Sequence, residues 1–368
     1  LNNLKWETSE TSNIGLDMDL FRSRLTVTAE WYNKTTKNLL YNMPLPSSSG
    51  ISNGTILMNL GDIQNRGFEL DVTFEAIRAK KPTDLSWTVL FNTGRNRNTV
   101  TSLPGGTISF TDNFARFSGQ VKQGDPLGTY YGLVFKGVYA RDADAIVKDA
   151  NGNTVFELDG VTPRIMRVES ETGNLFKGGD AIYEDYNHDG IINAQDRVLV
   201  GNANPSFFGG LNNTFSYKNF GLNFFIQFQY GNDVINGLRY ALEGMDGTSN
   251  QAITVLKRWR KQGDITDMPR ALRSDTRNTY GSSRWIEDGS YARLKTLTLS
   301  YRIPNRVVQR YGLRGLDFYV TGTNLFTLTK YSGSDPEISL SSNPAFVGID
   351  RGYNPKTKGA TFGANIRF

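Results

Sequence analysis

The chain has 368 residues, with 41 Lys and Arg against 36 Asp and Glu, one His and no Cys. Without cysteine neither a disulfide framework nor a thiolate metal centre can form, and a net charge of +5 spread along the chain without a basic run gives little support to nucleic-acid binding. Mean hydropathy is −0.42 and no run of about 18 apolar residues occurs, which excludes a transmembrane helix but not a membrane β-barrel, whose strands alternate lipid-facing and lumen-facing side chains.

Period-two alternation dominates the chain, in segments of roughly ten residues, long enough to cross a bilayer at a tilt. It begins with Ile14, Leu16, Met18 and Leu20, set between Asn13, Gly15, Asp17 and Asp19. After a tight turn at 21–24 it resumes with Leu25, Val27, Ala29 and Trp31. Phe68, Leu70, Val72, Phe74 and Ala76 then alternate with Glu69, Asp71, Thr73 and Glu75, and Leu85, Trp87, Val89 and Phe91 follow a Pro-containing turn. Thr107–Ser118 and Thr129–Tyr139 are weaker strand candidates. Gly210–Lys218 and Leu222–Tyr230 read as a hairpin, and Tyr291–Arg302, Leu316–Leu328 and Ala360–Phe368 complete the series.

About eleven strands are therefore expected. Short turns at 21–24, 79–84, 119–127, 219–221 and 303–315 alternate with long loops at 36–63, 97–106, 141–207, 232–288 and 331–357. This segregation predicts an all-β fold, a transmembrane antiparallel β-barrel with long extracellular loops; a soluble sandwich has no reason to sort its loops this way. Alternation assigns Leu16, Val27, Phe74, Phe224 and Phe228 to lipid, and Asp17, Glu69, Glu75 and Gln227 to the lumen. An odd number of strands cannot close an antiparallel barrel, and residues 1–5 carry no signal peptide, so the chain is expected to begin within a longer one. Trp6, Trp31, Trp87 and Trp285 are assigned to interfacial aromatic girdles.

One loop motif carries chemistry. The segment from Asp185 to Asp196, inside the long loop 141–207, fits the twelve-residue calcium loop. Asp185, Asn187, Asp189, Asn193 and Asp196 would offer side-chain oxygens, Ile191 its backbone carbonyl, and Gly190 the sharp turn. The last position holds Asp in place of the longer Glu, which predicts weaker binding. An all-oxygen, loop-borne set favours Ca²⁺ over Mg²⁺; the competing reading is a metal-free loop closed by Asx turns. His188, the single histidine, falls at a non-ligating position. With no Cys and no Gly-X-Ser-X-Gly, no nucleophile and base can be assembled, which argues against an enzyme. Thr248–Gln262 reads as a short amphipathic helix with Ser249 as N-cap and Ala252, Ile253, Leu256 and Trp259 on the side packed against the barrel rim.

Longer phrases carry a family likeness. Trp6-Glu7-Thr8, Asn13-Ile14-Gly15-Leu16-Asp17, Trp31-Tyr32-Asn33-Lys34 and Asn65-Arg66-Gly67-Phe68-Glu69-Leu70 resemble the strand phrases of SusC/RagA-like TonB-dependent outer-membrane transporters. So do Gly201-Asn202-Ala203-Asn204-Pro205, Ser290-Tyr291-Ala292-Arg293-Leu294-Lys295, Thr323-Asn324-Leu325-Phe326 and the run from Thr329 to Glu337. The likeness runs from residue 6 to the end. It departs at Tyr291, where the family usually has Phe, and over 97–127. The resemblance implies the second half of a 22-stranded barrel in the bacterial outer membrane, with the plug upstream. It further implies import of oligosaccharide or oligopeptide cargo with energy from the TonB complex, beneath a SusD-like surface lipoprotein acting as a lid. The terminal row Ala360, Phe362, Ala364, Ile366 and Phe368 resembles the signal read by the outer-membrane assembly machinery. The competing function is a secreted or surface adhesin or glycan-binding module, β-rich and stabilised by calcium.

Overall fold

Nine strands form one antiparallel meander, each paired with the one before it and the one after. They are Thr8–Leu20, Leu25–Pro44, Thr55–Ile77, Ser86–Ser102, Phe207–Tyr217, Phe220–Tyr230, Tyr291–Arg302, Gly315–Thr329 and Gly359–Arg367. The computed structural model describes residues 4–44, 55–112, 117–149, 151–168, 175–338 and 347–368, so parts of the expected loops 36–63 and 331–357 lie outside the described residues. The strands run from 9 to 23 residues, and the shortest reaches the roughly nine needed to cross a hydrocarbon layer.

Register carries the alternation across the whole sheet. One row of cross-strand partners runs Met18, Val27, Val72, Phe91, Leu211, Ile226, Leu294 and Phe326. The adjacent row, on the opposite face, runs Asp17, Thr28, Asp71, Asn92, Gly210, Gln227, Arg293 and Thr327. Because side chains alternate with period two, one face is apolar over its full width and the other polar. Leu16, Val27, Phe74, Phe224 and Phe228 fall on the first face; Asp17, Glu69, Glu75 and Gln227 fall on the second. Polar groups there satisfy one another: the Thr26 and Thr28 hydroxyls donate to Asp19 and Asp17 at 2.6 and 2.7 Å, and Asn13 donates to Glu30 at 2.9 Å.

Close packing explains one of the family-like phrases. Tyr32 and Gly67 are cross-strand partners, and a Cβ on Gly67 would lie 2.4 Å from the tyrosine hydroxyl. The Arg95 carbonyl oxygen would lie 2.5 Å from the same Cβ, so the tyrosine and the neighbouring backbone together leave room only for glycine.

Two of the expected strands belong elsewhere. Thr107–Asp112 and Phe117–Lys122 pair with each other and, through Thr129–Gly132 and Val198–Asn202, build a separate four-stranded sheet. The expected short turn at 119–127, the end of the expected loop 97–106 and nearly all of 141–207 are thus parts of a single connection, 103–206, whereas 97–102 and the described parts of the expected loop 36–63 continue the strands Ser86–Ser102, Leu25–Pro44 and Thr55–Ile77. Its segments are short, and their apolar residues Phe117, Val121, Tyr130 and Leu133 are buried in protein instead of facing a bilayer. Removing a pair of strands leaves the up-down alternation intact, so the short turns 21–24, 78–85, 218–219 and 303–314 all lie at one end of the sheet.

At the other end the long connections fold into a cap with a core of its own. Leu133, Tyr139, Val147, Phe176, Tyr183 and Ile192 cluster within 103–206. A second cluster, with Phe117, Tyr130, Ile235, Trp285 and Ile349, joins three connections, and the small sheet of Ile286–Asp288, Asp233–Asn236 and Ile349–Asp350 ties two of them by backbone bonds. Nearly all of the buried apolar residues belong to this cap, as expected if the two faces of the meander serve lipid and lumen. Trp285, expected in a girdle, is instead completely buried here.

The expected helix 248–262 is replaced by a single 3₁₀ segment, Ile253–Lys257, whose N-cap is Ala252. Ile253 and Leu256 are 81% and 59% exposed, so the supposed apolar face does not pack. Three consecutive β-branched residues, Ile253, Thr254 and Val255, disfavour the helix, and Trp259 is drawn away by its indole N–H donating to the Ala140 carbonyl at 3.0 Å. The neighbouring helix is Gly237–Glu243, capped by the Asn236 side chain accepting from Arg239 N–H at 2.8 Å.

Candidate functional site

The cap carries a half-open cavity of about 600 Å³ lined by Phe135, Arg239, Glu243, Lys257, Asp267 and Arg284, among others. The helix Gly237–Glu243 supplies Arg239 and Glu243 one turn apart, 3.3 Å from guanidinium Nε to carboxylate. Arg239 also reaches Glu287 at 2.5 Å and donates to the Arg284 carbonyl. Arg284 stacks on Trp285 with 4.4 Å to the ring centroid and lies 5.5 Å from that of Phe135. Burial pushes its guanidinium down to about 10, against the opposing pull of Tyr183 and Glu243. Its bond to a protein acceptor is to the Met268 thioether at 2.9 Å, with Glu243 3.7 Å away. A weakly satisfied cation thus faces the cavity alongside groups of both signs.

The calcium-like loop lies in the same cap. Gly190 has φ +77°, and a Cβ there would approach Val147 to 2.7 Å, so both backbone and packing demand glycine. Asp189 accepts from Ile191 N–H at 2.7 Å and from the Asn187 amide at 2.9 Å. Asp196, fully buried, accepts from Tyr186 N–H at 3.0 Å and Asn193 N–H at 2.8 Å. Burial, with Asp185 and Asp189 nearby, pushes its carboxyl above the usual range in spite of those bonds. Asp185 accepts from Gly190 N–H through one oxygen at 2.8 Å, while its other oxygen is buried with no partner. Asn193 caps the next turn, accepting from Gln195 N–H at 2.7 Å, and Ile191 is bridged in parallel to Arg167. His188 sits at φ +57° on the exposed side of the turn.

Asx turns therefore close this loop, and an unpaired buried carboxylate oxygen remains inside it. Among the described residues no three carboxylates, imidazoles or thiols sit close enough to hold an ion by themselves. An ion here would draw on the Asn187 and Asn193 amides and the Ile191 carbonyl as well, the oxygen-rich set that Ca²⁺ accepts.

Sequence reading missed the polar anchors of the cap. Asp180, fully buried, accepts from Arg270 at 2.7 Å and from Lys177 N–H at 3.0 Å. Arg293, 3% exposed, donates to Asp335, to Glu337 at 2.8 Å and to Thr327 at 2.9 Å, and Lys295 reaches Glu337 at 2.7 Å. These four charges sit in two of the family-like phrases, so the signal was present as a likeness but not as a contact.

A meander with one apolar and one polar face, bearing folded connections at one end and tight turns at the other, is a wall of an outer-membrane β-barrel. Residues 1–325 match the family described as TonB dependent receptor-like, beta-barrel, and the chain belongs to that family. It is a family of outer-membrane receptors and transporters, not enzymes. A TonB-dependent receptor of Formosa agariphila is 33% identical over all of this chain and 34% of its own length. The TonB-dependent receptor SusC of Bacteroides thetaiotaomicron is 25% identical over all of this chain and 32% of its own. The chain thus spans about a third of these relatives. A chain in the structure of the RagAB peptide importer in its closed-closed state superposes with a TM-score of 0.75 at 22% identity, over all of this chain and 36% of that one; the likeness is one of fold.

Proposed function

We propose that this chain forms the C-terminal wall and outer cap of a SusC/RagA-type importer, embedded in outer-membrane lipid and working with a SusD-like surface lipoprotein and the TonB complex. The observation that carries this reading is the ordered cap at the long-connection end of the sheet, with its cavity of mixed charge. A calcium-stabilised adhesin would leave the apolar face, continuous over nine strands, without a purpose. Arg239, Lys257 and Arg284 together with Glu243 and Asp267 in one cavity wall suit the termini and side chains of an oligopeptide better than a neutral oligosaccharide. Equilibrium binding of pooled oligopeptides and of neutral oligosaccharides to the full-length protein with its lipoprotein tests this. Tighter binding of the oligosaccharides would overturn the peptide assignment.

We further infer that Asp185, Asn187, Asp189, Ile191, Asn193 and Asp196 take up Ca²⁺, with Mg²⁺ the weaker ligand, and that the ion stiffens the 141–207 part of the cap. The unpaired oxygen of Asp185 supports this. Replacing Asp185 and Asp189 by Ala should abolish calcium-dependent protection of this segment from protease. Equal cleavage of the unsubstituted protein with calcium and with chelator would favour the metal-free loop.

A further inference from the structure

The four short turns share an uneven charge. Turn 21–24 supplies Arg22 and Arg24, and turn 78–85 supplies Arg78, Lys80 and Lys81 against Asp84. Turn 218–219 adds Lys218, and turn 303–314 adds Arg306, Arg310 and Arg314 with no acid. Scattered along the sequence, these cations are gathered by the meander along one edge of the sheet. Some are used locally: Arg78 pairs with Glu75, Arg24 donates to the Ala76 carbonyl at 3.0 Å, and Lys218 lies 5.1 Å from the Tyr217 ring centroid. Nearby acids are engaged on the polar face, Asp317 by both Arg302 at 2.8 Å and Arg367 at 2.6 Å. Arg306, Arg310 and Arg314 are exposed, and none has an ion-pair partner among the described residues.

Directly above turn 303–314, on the apolar face, lies a groove of about 520 Å³ between Phe220, Leu299, Tyr301, Phe318, Val320 and Phe362. Tyr301 pairs with Phe318, and Leu299 with Val320, in the last turns of register before the strands end. At roughly 3.3 Å per residue the groove opens within about 10 Å of the turn. Aromatics at the edge of an apolar band, with guanidinium groups just beyond, place the cations at headgroup depth. Outer-membrane barrels carry their short turns on the periplasmic side, so the adjoining leaflet is the inner, phospholipid one.

We propose that turn 303–314 and the groove above it bind an anionic phospholipid, with its phosphate on Arg306, Arg310 and Arg314 and one acyl chain along the groove. The other basic turns extend this into a rim attractive to anionic headgroups. A zwitterionic lipid would use the groove alone, and a soluble anion the arginines alone. The combination selects a molecule having both parts.

Native mass spectrometry of the full-length protein in mixed micelles of phosphatidylglycerol and phosphatidylcholine tests the assignment. The expected result is retention of phosphatidylglycerol in preference. Converting Arg306, Arg310 and Arg314 to Gln should lower that preference about tenfold or more, while the same three positions as Lys keep most of it. A charge-matched control, Lys148, Lys177 and Lys261 to Gln in the cap, should leave the lipid preference unchanged. Val320→Trp, which fills the groove, should shed the retained lipid while heat-modifiable migration stays normal. Equal retention of both lipids, an equal loss in the cap control, or undiminished retention in Val320→Trp would overturn the proposal. So would anion preference that persists for a soluble cell-wall polymer but not for the lipid.

Discussion

Single residues fix the cap more firmly than composition suggests. Gly190 combines a positive φ with a Val147 methyl where its Cβ would go. Gly190→Ala should therefore cost about 1–3 kcal/mol of local stability, read as faster amide exchange at Ile191 and Ile192 with little change in the sheet. Wild-type exchange in the variant would show that the turn relaxes freely. Arg293 supports a larger effect. Its guanidinium holds Asp335, whose remaining contacts are the backbone N–H groups of Glu337 and Lys356 at 2.9 and 2.8 Å. Arg293→Met would leave that carboxylate buried without its counter-ion, a loss of roughly 3–5 kcal/mol where the charge cannot escape to water. The segment 331–338 should then become protease-sensitive. Resistance equal to wild type would mean that the backbone donors suffice.

At the scale of elements, the alternating parts of the strands were legible, their extensions through 36–44, 55–63 and 97–102 read as loop, and the cap was not legible. Alternation alone placed Leu16 and Asp17, or Phe228 and Gln227, on opposite faces, because lipid and water impose a binary choice on every side chain of a spanning strand. Cysteines introduced at Leu16, Val27, Phe74, Phe224 and Phe228 should react with a lipid-soluble reagent, whereas those at Asp17, Glu69, Glu75 and Gln227 should not. Equal labelling of both groups would remove the barrel. Inside the cap no such choice applies. Phe117 and Tyr130 look like strand residues of the barrel by type and spacing, yet they meet Trp285 and Ile349 across contacts that no local pattern encodes. The helix expected around Ser249 fails for the same reason, since the partner of Trp259 is a carbonyl far away in the chain at Ala140. The calcium-like motif was readable because its donors are local, and so are the turns that shape it; whether they converge on an ion depends on the unpaired oxygen of Asp185, which spacing does not reveal.

The whole molecule is a sheet with two open edges. Among the described residues Thr8–Leu20 is paired only with Leu25–Pro44, and Gly359–Arg367 only with Gly315–Thr329. Along each edge, every second residue turns its backbone N–H and C=O outward, away from the sheet. In hydrocarbon each unsatisfied group costs several kcal/mol, far more than the apolar rows of these two strands could offset. Water cannot reach the edges at that depth, and among the described residues nothing pairs with them, because the cap is folded at one end instead. Both edges must therefore be paired by strands outside this stretch. An odd strand count points the same way, since the two edge strands run in the same direction and could not close on each other with antiparallel bonds. Residues 1–368 expressed alone should give no heat-modifiable band in detergent, and disulfide trapping from cysteines at Asn13 or Thr361 in the full-length protein should find partners beyond the nine strands. A stable, heat-modifiable barrel formed by residues 1–368 alone would show that the edges find each other, and that the meander is a complete wall.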